Sequence, residues 1–468
     1  MVNASSAARP VAPAPLGGGW SRDRLARYFV DTWDTYETLF RGVADSKEAF
    51  GVRVHPFRLP LVFYLGHTAS FYIQKLKLVG MVDGGGVCEL DERMEQGVSP
   101  EDPDELARLT EWPDPNDVWS YRKTVRDIVL RTIETVPLPA VLAPTSPLRA
   151  LLMGIEHENI HLHTSLPLIR LLPPRLKGTP QGWPAMGTQR DGGAVVAEPG
   201  RDYVLCRGGS VVFGDDQPET GRFRWDNEYG RRAATVDPFE VAPHPVTNGQ
   251  FLEFVRAGGY EEPGLWTTHG ARLYLERVSG GHPHSWLPGA GPGGYRYRGI
   301  FEDTEMPWDW PVEVSRHEAV AYANWAGASL ISEEQFHALL DQEFGGVSRV
   351  AAMLDKFDVG LRRGSPRPVR GQGAFLGRSG IDFVGNVALW LEDDFTALER
   401  GSDDAESSFR VDPLYPDFSE PWFGPETGML TGASYAARGH MADVGVMRDF
   451  MQNHMDQLAG ILLTRPAR

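Results

Sequence analysis

The sequence predicts an α+β multidomain protein: a four-helix bundle over residues 21–172, a linker over 173–200 and an irregular α+β domain over 201–468, preceded by a flexible N-terminus over 1–20. Three observations support this. From Ser21 to about Leu172 apolar residues recur every three or four positions, as one face of a helix requires. The stretch PPRLKGTPQGWPAMGTQRDGG, Pro173 to Gly193, then breaks that period with Pro and Gly. Beyond Arg201 the texture becomes short β-like runs among glycines, prolines and tryptophans.

Each element has its own signal. Leu25, Tyr28, Phe29, Trp33, Tyr36, Leu39 and Phe40 mark a first helix with Ser21 as cap. Leu59 to Met81 forms a second, apolar on nearly every side in its first half and therefore buried. A third follows Asn116 with Val118, Tyr121, Val125, Ile128 and Val129 on one face, and a fourth runs from Pro147 to Leu172 behind the cap Ser146. In the second part YVLCR, SVVFG and ATVDPFEVA read as strands, with helices only at Thr247–Ala257 and His317–Trp325. The acidic run Glu392 to Asp412 reads as a solvated loop.

Composition excludes several function classes. The chain is 41% hydrophobic and 23% charged, as soluble globular proteins are, and its net charge of -17 has no Lys/Arg block to offset it, so nucleic acid and anionic membranes are poor partners. Two cysteines, Cys88 and Cys206, are too few for a disulfide framework and fit a reducing compartment. The N-terminus lacks the apolar run of a signal peptide, and no stretch approaches the roughly 18 apolar residues of a membrane span. A cytoplasmic protein is expected.

The fourth helix carries MGIEHENIHLHTS, in which His157-Glu158-Asn159-Ile160-His161 satisfies the zinc-protease pattern H-E-x-x-H. On an α-helix two histidines four apart differ by roughly 40° and can share a metal, whereas His163 lies about 240° from His157 and points away from it. The protease reading lacks its third ligand. The first carboxylate after His161 is Asp191, past the start of the linker, and Thr164 stands where the longer zinc motif needs glycine. Another bundle helix can supply a histidine instead: His67 lies between Phe63 and Phe71, and a buried neutral imidazole is costly without a partner. Three such imidazoles suit Fe(II) that gathers a thiolate and dioxygen, while zinc in the same place would serve a hydrolase. These residues leave the choice of metal open.

LPLVFYLGHTASFYIQKL, MGIEHENIHLHTSLPLIR, RWDNEYG (224–230), VTNGQFLEFVRAGGY (246–260), MPWDWPVEV (306–314) and GNVALWLED (385–393) occur in this order over most of the chain. Together they resemble the non-haem iron sulfoxide synthases of thiohistidine biosynthesis, most closely the 5-histidylcysteine sulfoxide synthases of the ovothiol pathway. The resemblance implies a DinB-like bundle joined to a formylglycine-generating-enzyme-like (C-type-lectin-like) domain, with the active site between them and Fe(II) on His67, His157 and His161. It implies that cysteine or a related thiol and histidine or a derivative are joined, with dioxygen as oxidant, into a sulfoxide-linked adduct. A tyrosine is the usual proton or hydrogen donor, and Tyr415 in VDPLYPDFSEPWF is the positional match. Substrate carboxylates need cations, ideally a guanidinium; Arg122 and Arg126 in WSYRKTVRD stand one helical turn apart, and Arg122 matches the family's YR pattern.

The departures are specific. The family's H-x-x-x-H-x-E ends here in His163, and its aromatic, arginine-rich C-terminal run is MRDFMQNHMDQLAGILL, in which Arg448, His454 and Gln457 are the surviving pieces. The chain ends where many relatives continue into a methyltransferase and shows no Gly-rich adenosylmethionine signature, so any N-methylation is expected from a separate protein acting downstream. Ile160 resembles the ovothiol branch; the ergothioneine branch carries glutamine there. The alternatives are an ergothioneine- or selenoneine-type synthase acting on trimethylhistidine, a DinB-like metal-dependent thiol transferase or hydrolase, and a lectin-like binding module.

Overall fold

The computed structural model describes residues 19–95, 111–187, 203–215, 222–277, 279–290, 292–371, 374–398 and 409–467. Residues 1–18 of the expected flexible lead, Asp191 and the middle of the acidic run lie outside the described residues.

Four long helices build the first part: α1 (Arg22–Phe40), α3 (Leu61–Leu78), α5 (Pro115–Thr135) and α6 (Pro147–Leu171), with short α2 (Lys47–Gly51) and α4 (Leu90–Arg93) between them. Ser21, Asp114 and Ser146 cap α1, α5 and α6 by accepting from backbone N–H groups of the first turn, and Pro115 and Pro147 occupy the first helical position, where no donor is lost. Helix α3 packs on α5 and α6, and α1 packs on the same two. Helices α3 and α6 meet closely at Gly154, where a Cβ would lie 2.4 Å from the Tyr72 ring. Only glycine fits there.

The described residues of the second part form four small sheets. One has the order β1 (Val204–Cys206), β4 (Phe239–Val241), β13 (Leu463–Pro466), β8 (Ser329–Leu330), and another β11 (Asp449–Gln452), β10 (Gly424–Thr431), β9 (Ala388–Phe395), β12 (Ala459–Gly460). The others are a pair of β2 (Gly209–Asp215) with β3 (Gly230–Val236) and a meander of β5 (Trp286–Pro288), β6 (Tyr295–Arg298) and β7 (Asp303–Glu305), and all pairings are antiparallel except β12 on β9. Strands β1 (Val204–Cys206) and β2 (Gly209–Asp215) follow the predicted runs. The third run divides into β3 (Gly230–Val236) and β4 (Phe239–Val241), because Pro238 has no N–H to give a ladder. Helices α7 (Asn248–Arg256) and α9 (Arg316–Ala326) stand where expected, each with a capping box. Three more, α8 (His269–Arg277), α10 (Glu333–Phe344) and α11 (Val347–Ala352), correct the expectation of only two. The start of α10 was readable: Ser332 and Gln335 form a capping box, and Gly345 ends the helix at φ 82°.

Two further expectations change. Residues 173–187 are not a loose connection: Ala44 N donates to Leu176 O at 2.9 Å, Gly178 N to Gly42 O at 2.8 Å, and Trp183 packs edge-on against Phe301. Nor is the acidic run a free loop at its ends. Glu392 to Phe395 complete strand β9 (Ala388–Phe395), and Asp412 is buried against Arg149. One apolar core runs from the bundle into the second part, and another surrounds Trp266, Trp286, Trp310 and Trp390.

Candidate metal centre and its cleft

Helices α3 and α6 place His67, His157 and His161 side by side, with one ring nitrogen of each lying within 4.8 Å of the others. All three are buried. The Nε2 atoms of His157 and His161 are 3.1 Å apart. His67 donates its Nδ1–H to the Met94 carbonyl at 2.6 Å, which leaves its Nε2 lone pair free, and that atom has no partner among the described residues. Phe63 stacks on His67 at 4.9 Å and Phe71 on His157 at 3.6 Å, so aromatic faces fix the ring planes. Burial, more than any neighbouring charge, pushes the three imidazoles toward the neutral form, His67 down to about 4 and the other two well below their ordinary value. Neutral nitrogens converging without donors to satisfy them fit a divalent cation.

Three other polar residues of α6 face elsewhere. Glu158, which a zinc protease would use to activate water, accepts from Arg122 at 2.9 Å, Thr68 at 3.2 Å and Tyr72 at 3.1 Å inside the bundle. Glu156 receives the His440 N–H at 2.8 Å and the Tyr28 hydroxyl. His163 lies 2.7 Å from Ser434 Oγ, apart from the trio. The protease pattern is therefore accidental here, since its glutamate is held away from the histidines by an ion pair.

The trio opens on a cleft of about 530 Å³ between the bundle and the second part. Its apolar wall includes Phe71, Ile160, Phe418, Trp422, Met447 and Phe450. Tyr415 reaches it from a loop of the second part, with its ring 6.1 Å from that of His157 and 5.0 Å from that of Phe71. Burial raises the Tyr415 hydroxyl well above its ordinary value, so it holds its proton. The loop is tied down through Asp412, which accepts from Arg149 Nε at 3.1 Å and from Leu414 N at 2.8 Å. Asp449 also lines the cleft, and burial pushes its carboxyl up to about 7.

The basic residues expected to bind substrate stand elsewhere. Arg122 is fully buried, bonded to Glu158, to Thr68 Oγ1 at 2.8 Å and to the Leu65 carbonyl at 3.0 Å. Arg126 pairs with Asp34 at 2.8 Å on the bundle surface. Arg448 binds Glu333 at 2.7 Å beside a separate cavity of about 200 Å³. His454 packs on Phe57 at 4.3 Å. None of the four is among the residues that line the cleft; of the C-terminal pieces, Gln457 is. Two cations absent from the sequence reading do line it, Arg58 and Lys75. The signal for Lys75 was its place as the first charged residue of an otherwise apolar helix.

Residues 190–342 match the sulfatase-modifying factor enzyme 1-like domain. The chain is 35% identical over 226 residues to Hercynine oxygenase of Mycolicibacterium smegmatis, covering 47% of this chain and 46% of that protein. It is 23% identical to Ergothioneine biosynthesis protein 1 of Schizosaccharomyces pombe over 95% of this chain and 55% of that protein. To Formylglycine-generating enzyme of Mycobacterium tuberculosis it is 30% identical over 42% of this chain and 76% of that protein. The alignments thus span about half the length of the first two relatives. The domain match and the coverage of Formylglycine-generating enzyme agree: the chain belongs to the formylglycine-generating-enzyme-like (sulfatase-modifying factor enzyme 1-like) family, and within it is similar to Hercynine oxygenase and Ergothioneine biosynthesis protein 1.

Proposed function

We propose that the protein is a dioxygen-dependent, non-haem Fe(II) sulfoxide synthase that joins a cysteine-type thiol to the imidazole ring of histidine. The observation that carries this is the buried three-histidine trio opening on a cleft that Tyr415 also lines, its ring 6.1 Å from that of His157. His67, His157 and His161 would hold the iron, which when bound supplies the redox chemistry that couples dioxygen to carbon–sulfur bond formation. Overall, one S–H and one ring C–H bond break, an S–C and an S=O bond form, and the second oxygen atom leaves as water with both hydrogens.

The chain's own residues do the rest. Phe63 and Phe71 hold the imidazole planes and Met94 selects the His67 tautomer. The apolar wall keeps bulk water from the reacting thiol. Tyr415, protonated and aimed at the cleft, is the proton donor. Ile160, in the cleft wall, is the feature that favours histidine.

A second reading takes trimethylhistidine as the imidazole partner, and the hercynine oxygenase relatives favour it. Metal analysis and an oxygen electrode test both. Uptake that needs Fe(II), a thiol and an imidazole together supports the synthase. Uptake indifferent to imidazole would indicate a thiol oxidase, and none would favour a hydrolase or a binding module. Mass spectrometry of the products from histidine and from trimethylhistidine separates the two partners.

A further inference from the structure

The bundle and its partner domain are rich in buried arginines, and nearly all are already matched with carboxylates. Arg122 has Glu158, Arg149 has Asp412, Arg170 has Glu313 at 2.8 Å and Arg448 has Glu333. Arg58 and Lys75 are different. They are 5% and 9% exposed, both line the cleft, and neither side chain makes a hydrogen bond or ion pair with any described residue. Their charges rest on aromatic faces instead: the Arg58 guanidinium carbon lies 5.1 Å from the Tyr64 ring centre, and Lys75 Nζ lies 4.6 Å from Phe71 and 4.5 Å from Tyr415. Face contacts of this kind leave the N–H groups free for an anion, and a buried cation without one is costly.

The two cations stand by different members of the trio. The Tyr64 ring beneath Arg58 lies 6.0 Å from that of His161, whereas the Phe71 ring beneath Lys75 stacks on His157. Glu95, Asp412 and Asp417 act on Lys75 only through space, and Glu95 and Asp417 are in the cleft lining.

We propose that Arg58 and Lys75 are the carboxylate anchors of the cleft, each holding the carboxylate of one of the two amino-acid substrates. This assignment rests on the sulfoxide synthase reading, since that reaction brings two α-carboxylates into one cleft. A guanidinium or ammonium bonded to a carboxylate in a partly dry site favours the carboxylate-bearing ligand by roughly tenfold or more over its decarboxylated analogue. It also sorts the substrates, because each zwitterion finds one cation.

The test is anaerobic calorimetry on the iron-loaded protein, comparing L-cysteine with cysteamine and L-histidine with histamine, together with KM for each substrate. The wild type is expected to prefer both carboxylate ligands by about tenfold or more. Arg58→Gln should lose one preference and raise that substrate's KM, Lys75→Gln should do the same for the other, and Arg58→Lys and Lys75→Arg should restore part of each. Equal affinity for acids and decarboxylated analogues in a wild-type protein that turns over would overturn the assignment, whatever the folding of the variants. So would preferences that survive in both Gln variants, or loss of the same preference in both. A wild type that neither binds nor couples any thiol and imidazole sinks the synthase reading, and the anchors with it.

Discussion

Glu158 adjoins His157 in the chain and faces the opposite environment in the fold, held by Arg122 within a fully buried pair. That separation sets the first expectation: His161→Ala abolishes iron loading and His163→Ala largely keeps it, measured by metal analysis on folded protein. Equal losses would mean that the trio is not the metal site. Arg122 yields a second. Arg122→Met strands Glu158 without a cation, and breaking a buried pair costs about 3–5 kcal/mol, so stability in urea should fall by that order while KM stays unchanged. A raised KM in a fully stable variant would return Arg122 to the substrate site. The trio was legible because helical rotation alone relates His157 to His161. The arginines were not, because their carboxylates lie far along the chain: Glu37 and Asp34 on α1 and Glu333 on α10.

At the scale of elements, caps and periodicity located the four long helices, while the junction between the two parts escaped notice because it is made of contacts distant in sequence. Gly154 shows how tightly one such contact is set. Gly154→Ala improves helix propensity but drives a methyl into Tyr72, which supports Glu158, and overpacking of this kind costs about 1–3 kcal/mol. The variant should melt lower and bind iron more weakly than wild type; a raised melting temperature with full iron content would show that Tyr72 yields freely. The Tyr415 loop depends on α6 in a similar way. Removing the guanidinium in Arg149→Met leaves Asp412 unpaired and the loop loose, so kcat should fall severalfold with iron content preserved, as single-turnover and metal assays would show.

Across the whole molecule, histidines at the junction tie stability to pH in opposite directions. Asp456 raises His284 to about 9, above its ordinary 6.5, so this pair stabilises the fold fully below pH 6.5 and the contribution drains away as pH rises toward 9. Burial lowers His55 to about 3 and His454 to about 4, so both bind protons more readily in the unfolded chain and cost stability as pH falls below 6.5. Thermal melts should therefore show the difference between wild type and His284→Gln shrinking between pH 6.5 and 9; a constant difference would remove the ion pair as its cause. None of this was readable beforehand, because His55 and Asp456 meet only once the bundle has docked on the second part.

Helix α6 is riveted to its neighbour domain toward both ends, by Arg149 to Asp412 near the start and by Arg170 to Glu313 near the finish. Swinging the two halves apart would tear both rivets at once, at several kcal/mol each. The cleft instead meets solvent beside Leu78, which lines it and is 62% exposed.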